Sequence, residues 1–140
     1  MATAKPKPIA EPRRVDLICE LASYLQPRVR QILDRMRARG FDPQVFETYR
    51  TEERQAFLYG KGRTAKELKK AHIDKKWAQP DLPKVTYTMQ SLHRRRKAVD
   101  IISKSRHWSW PAFFKALEEE AAKEDMHTLG FEKCHVEWQG

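Results

Sequence analysis

The chain has 140 residues, with 28 Lys and Arg against 19 Asp and Glu for a formal net charge of +9. That length suits one domain with a real hydrophobic core, and the charge favours polyanionic partners such as nucleic acid, anionic lipid or envelope polymers without choosing among them. Two cysteines, Cys19 and Cys134, are too few for a disulfide framework or a four-sulfur zinc site, and no segment approaches membrane-spanning length.

Residues 1–13 are rich in Pro, Lys and Ala and hold no apolar stretch that could serve as a signal peptide, so they read as a flexible basic tail. Residues 14–140 then form the domain. From Asp16, a candidate N-cap, Leu17, Ile18, Leu21 and Leu25 have helical spacing. Pro27 can open a second helix through Val29, Ile32, Leu33 and Met36 to Gly40. "VFETY" at 45–49 alternates like a strand, and "EERQAFLYG" from Glu52 reads as a helix, with Arg50 and Thr51 at the junction. Residues 61–83 carry Pro80 and Pro83 and one short helical stretch, "AKELKKAH", which makes them a long excursion.

"KVTYT" and "KAVDIIS" are strand-like, "SWPAFFKALEEEAAKE" is an amphipathic helix with Pro111 in its first turn, and "CHVEW" is a final strand. Trp108, Trp110, Phe113, Phe114 and Leu117 fall at core spacing. Helices and strands mixed without βαβ alternation predict an α+β domain with a small antiparallel sheet flanked by helices.

His93 and Asp100 are seven residues apart, and His135 follows Glu132 by three. Two imidazoles and one carboxylate make a three-ligand set that leaves a fourth zinc position open, the layout of a catalytic metal. The spacing restricts the backbone. Seven residues of helix advance about 10 Å, and in a straight strand an odd separation puts side chains on opposite faces. The chain must therefore bend between His93 and Asp100, with Asp100 projecting opposite Val99 and Ile101. Cys134 adjoins His135 but faces the other way in a strand and reads as packed. His72, His107 and His127 lack partner spacing and read as surface or structural residues.

Ser91, His93, Ala98 and Asp100 in "SLHRRRKAVDII" match the signature S-x-H-x-x-G-x-A-x-D, and "EKCH" supplies the later carboxylate-x-x-His. With these motifs the chain resembles the zinc peptidases of the D-alanyl-D-alanine carboxypeptidase and L-alanyl-D-glutamate endopeptidase superfamily. "FETYRTEERQAFLYGKGRT", at 46–64, is similar to the block upstream of that signature in the endopeptidase branch, which includes phage endolysins. "VTYTMQSLH" is similar to the run-in to its first histidine. The resemblance spans residues 17–137.

The resemblance implies one catalytic Zn²⁺ held by His93, Asp100 and His135 in a surface cleft, Glu132 as general base, Arg50 facing the substrate carbonyl, and Ser91 and Gln55 on the substrate side. It implies hydrolysis of peptidoglycan stem peptides by a monomer. The enzyme would be made in the cytoplasm without a signal peptide, reach the wall and periplasm after release, and need no nucleic acid. The basic surface would assist its approach to an anionic envelope. Glu137 shares a strand face with His135 and is an alternative base. Tyr59 and Arg63 fit fold support as well as function, and Trp138 could wall the substrate.

Two departures stand out. Arg96 occupies the signature's glycine position inside the segment that must bend. The C-terminal part lacks the family's tryptophan-glycine-glycine stretch and has Glu132 where aspartate is frequent. Two other readings stay open: a basic nucleic-acid-binding protein using "RRRK", and an inactive peptidase-like domain that binds wall peptides or serves in a virion.

Overall fold

Four strands, β1 (Pro43–Glu47), β2 (Ala98–Ser103), β3 (His127–Leu129) and β4 (Glu132–Glu137), form one sheet in the order β1-β2-β4-β3, with every pairing antiparallel. The helices are α1 (Gln26–Ala38), α2 (Glu52–Gly60), α3 (Ala65–Lys70) and α4 (Pro111–Ala122), so the α+β expectation holds. The computed structural model describes residues 9–140. Most of the expected tail therefore lies outside the described residues; within 9–13, Glu11 and the Pro12 carbonyl accept hydrogen bonds from Arg54. The described residues form two compact units, residues 14–50 with 90–140, and residues 51–89 with 9–13.

The first of these units carries the sheet. Val29, Ile32, Leu33 and Met36 of α1 recur at helical spacing and are buried, as are Phe113, Phe114, Ala116 and Leu117 of α4. They join Val99 and Ile101 of β2 and Val136 of β4 in one apolar cluster. Each such Val, Leu, Ile, Met or Phe side chain withdrawn from water contributes roughly 1.5–3 kcal/mol. Trp108 departs from the core expectation: it precedes α4, is 52% exposed, and meets Phe46 edge-on at 5.0 Å.

The leading helix expected from Asp16 is a single 3-10 turn, Ile18–Glu20, with no side-chain cap. The helix proper starts at Gln26 because Pro27 suits a first turn. β1 begins two residues before the expected strand and ends at Glu47, where its pairing with β2 shifts register. Thr48 is drawn away to Val15, whose carbonyl accepts its backbone N–H at 2.7 Å. β3 was not expected. It forms a hairpin with β4 across a register irregularity.

In the other unit, Thr51 caps α2 by accepting the Arg54 N–H, and Thr64 and Glu67 make a capping box at α3. "KVTYT" is not a strand. Side chains rather than a ladder take its carbonyls: Arg63 donates to Thr86 at 2.9 Å and Gln55 to Thr88 at 2.6 Å. Lys66, Lys69, Lys70, Lys75 and Lys76 are exposed along this excursion.

The bend between residues 93 and 98 is a 3-10 turn, Leu92–Arg95, that ends at Arg96 in the left-handed region with φ 61° and ψ 26°. That conformation costs an L-residue roughly 1–2 kcal/mol. Contacts of the side chain offset it. The guanidinium lies 3.9 Å from the centroid of Tyr49, pairs with the Glu20 carboxylate and donates to the Glu20 carbonyl. The ion pair is partly exposed and contributes about 0.2–1 kcal/mol, and the ring contact about 0.5–1 kcal/mol. Arg96→Gly should therefore unfold within about 1 kcal/mol of the wild type, whereas Arg96→Ala, which keeps the strain and loses the contacts, should be less stable than the glycine variant by about 1–2 kcal/mol. Urea denaturation compares the three; equal stability of the alanine and glycine variants would mean that the turn is unstrained.

Candidate metal centre

Asp100 occupies the middle of β2, with Glu47 of β1 as its Cα partner on one side and His135 of β4 on the other. The sheet register therefore sets Asp100 directly beside His135. His93 comes from outside the sheet, from the 3-10 turn that Ser91 caps by accepting the His93 N–H at 3.2 Å. Two further bonds fix the turn: Arg50 N–H donates to the His93 carbonyl at 3.1 Å, and His93 Nδ1 lies 2.8 Å from the Thr48 carbonyl. All three side chains are buried.

A carbonyl oxygen only accepts, so His93 Nδ1 carries the hydrogen and Nε2 carries a lone pair. His135 is held the other way round. Its Nε2 donates to Glu137 Oε1 at 2.9 Å, which leaves the lone pair on Nδ1. Both lone pairs face one oxygen: Asp100 Oδ1 lies 3.3 Å from His93 Nε2 and 3.4 Å from His135 Nδ1. The two rings meet edge-on with centroids 4.9 Å apart. His93 Nε2 and Asp100 Oδ1 are buried with no hydrogen-bond partner.

Three acceptors pointing at one another repel unless a cation or an added proton sits among them. Donors about 2 Å from a tetrahedral zinc ion are about 3.3 Å apart, which is the spacing found. Each imidazole has an outer acceptor that fixes its tautomer, as metal-ligating histidines do. The donor set thus fits Zn²⁺, with three protein ligands and a fourth position left over.

The surrounding charges are ordered. Burial works against the Asp100 carboxylate, but positive charge placed beside it, as an added proton on the facing imidazoles would supply, outweighs burial and holds its pKa well below the usual range. Burial likewise opposes a charged His135, yet Asp100 raises its pKa overall. Glu132 is half-buried, and burial followed by repulsion from Asp100 lifts its pKa above the ordinary carboxylate value. One of its carboxylate oxygens lies within 4.8 Å of ligating atoms of Asp100 and Cys134. Cys134 itself is packed in the core, and burial pushes its thiol up to about 12.

Arg50 is buried. Its guanidinium pairs with Glu47, with Nε 3.2 Å from Oε1, and Nη2 stands 3.9 Å from Asp100 Oδ2. The structure thus brings together His93, Asp100, His135, Glu132 and Arg50. Gln55 is fully buried and engaged with Thr88, and Arg63 bonds the carbonyls of Tyr59 and Thr86. Trp138 packs edge-on to Tyr24 at 6.1 Å and lies under Arg28. His72, His107 and His127 are exposed. Glu47 and Thr48 escaped the sequence reading. Glu47 sits three residues before Arg50 and could have been sought as its partner, but no sequence pattern marks a carbonyl acceptor such as that of Thr48.

No protein-family model and no curated protein matches the chain. Solved structures do match it in fold. A mutant of the vancomycin-resistance D,D-pentapeptidase VanY from a VanB-type resistance cassette, in complex with Zn(II), superposes with a TM-score of 0.59 at 20% identity, over 86% of this chain and 73% of that one. VanYB in complex with D-alanine-D-alanine gives 0.58 at 20% identity, over 86% and 72%. The LD-carboxypeptidase LdcB, from a structure addressing peptidoglycan recognition, gives 0.59 at 19% identity, over 86% of this chain and 59% of that one. The chain therefore has the fold of the VanY and LdcB peptidases.

Proposed function

We propose that this chain is a zinc-dependent peptidase acting on peptidoglycan stem peptides, and specifically an L-alanyl-D-glutamate endopeptidase of the endolysin kind, with residues 14–140 as its catalytic domain. The observation that carries the reading is the convergence of His93 Nε2, His135 Nδ1 and Asp100 Oδ1 at 3.3–3.4 Å in a buried site. The shared fold with peptidases supports it. The three residues would hold Zn²⁺, which when bound polarises a carbonyl and brings the pKa of water near neutrality.

The chain's own groups divide the remaining work. Glu132, with its raised pKa, accepts the proton of the attacking water on its carboxylate and returns it to the leaving amine. Arg50, kept in place by Glu47, offers positive charge to the oxygen of the scissile carbonyl as it becomes negative. Ser91 fixes the turn that presents His93, and Gln55 holds Thr88 in the run-in to that turn. The exposed lysines of the 61–83 excursion add attraction to an anionic envelope. D-alanyl-D-alanine carboxypeptidase activity is the second reading, favoured by the fold shared with VanYB, whose structure holds D-alanine-D-alanine.

Three outcomes follow. A chelator should abolish peptidoglycan hydrolysis, added Zn²⁺ should restore it, and His93→Ala should bind no zinc in equilibrium dialysis; hydrolysis by metal-free protein would exclude the reading. Glu132→Gln should keep its zinc while kcat falls by about 10²–10⁴, measured by release of soluble wall fragments. Mass spectrometry of digested peptidoglycan should show new alanine C-termini with D-glutamate N-termini; loss of terminal D-alanine instead would select the carboxypeptidase.

A further inference from the structure

The two imidazoles at the centre present different nitrogens, and the device that fixes each is different. A backbone carbonyl holds His93, whereas a buried carboxylate holds His135. Glu137 closes β4 with Ala98 of β2 and His127 of β3 as its flanking partners, so its backbone is fixed on both sides. Both of its oxygens are engaged: Oε1 accepts from His135 Nε2, and Oε2 accepts from Gln139 Nε2 at 2.7 Å.

A base that takes a proton from water needs an oxygen turned toward that water. Glu137 spends one oxygen on the far nitrogen of His135 and the other on Gln139, away from the converging atoms. Glu132 is half-buried, and its carboxylate lies within 4.8 Å of that of Asp100 and accepts no hydrogen bond from the described residues. The two carboxylates of β4 therefore have separate duties.

We propose that Glu137 is a positioning residue. It locks His135 in the tautomer that carries its hydrogen on Nε2 and aims the Nδ1 lone pair at the site. Gln139 holds the second oxygen and keeps the carboxylate in the ring plane's reach. This inference rests on the metal-site reading above and assigns within it the carboxylate that the strand pattern left ambiguous.

Zinc affinity and imidazole tautomers, measured on the full chain, test it. Competition titration should show Glu137→Ala binding Zn²⁺ about 10–100-fold more weakly than wild type. Glu137→Gln, which keeps an acceptor oxygen but not the charge, should recover part of that loss, and Glu132→Gln should bind as wild type does. In the zinc-free protein at alkaline pH, nitrogen NMR should find His135 protonated at Nε2 and His93 at Nδ1, with only His135 shifting toward a mixture in Glu137→Ala.

Unchanged affinity in Glu137→Ala, or an unaltered His135 tautomer, would overturn the proposal. So would a Glu137→Gln enzyme that keeps wild-type zinc affinity but loses hydrolysis, since Glu137 would then be the base. Absence of zinc binding by the wild type would remove the metal reading, while the tautomer measurement would still decide whether Glu137 sets the His135 ring. Should Glu137→Ala fail to fold, Glu137→Leu, which fills the space without an acceptor, supplies both comparisons.

Discussion

The centre depends on one register, the pairing of Asp100 with His135 between β2 and β4. Side chains alternate along a strand, so a slip of one residue in either strand would turn Asp100 or His135 to the other face and bring apolar neighbours to the site. The core enforces the register from behind. Val99 and Ile101 on β2 and Val136 on β4 must stay with α1 and α4, which leaves Asp100 and His135 on the face they occupy. Hydrophobic burial thereby selects where two polar groups meet, although neither gains from burial itself.

His93 is secured by different means, because it belongs to no strand. The stretch after β1 grips it twice: the Thr48 carbonyl accepts from its ring and the Arg50 N–H donates to its carbonyl. Glu47, Thr48 and Arg50 are successive contributors from one short segment, touching the guanidinium, the first imidazole and the turn backbone respectively. A buried guanidinium beside a buried carboxylate is costly to strand without a partner. The Glu47–Arg50 pair therefore ties the electrostatics of the centre to the end of β1.

The grouping of the donors was legible in the chain before their geometry was. His93, Asp100 and His135 could be grouped because the motifs around them resemble a zinc-peptidase signature, and the need for a bend between the first two then followed from helix rise and strand alternation. Helices α1, α2 and α4 could be read from apolar periodicity. What escaped depends on tertiary partners. "KVTYT" has strand-like residues, but its carbonyls go to Arg63 and Gln55, and propensity carries no record of such competition. β3 is three residues long and paired irregularly with β4, which leaves too little alternation to detect. Glu137 stayed an alternative to Glu132 because strand alternation reports a shared face with His135 and not a hydrogen-bond partner.

Arg96 bears on how such chains are recognised. A signature written as residues requires glycine there, yet the conformation that glycine would supply is present, held by Tyr49 and Glu20 rather than by freedom from a Cβ. The bend in this protein is thus set by a dihedral angle and not by a letter. Its bend depends on the N-terminal turn that carries Glu20, a dependence that a glycine at the same position would not create.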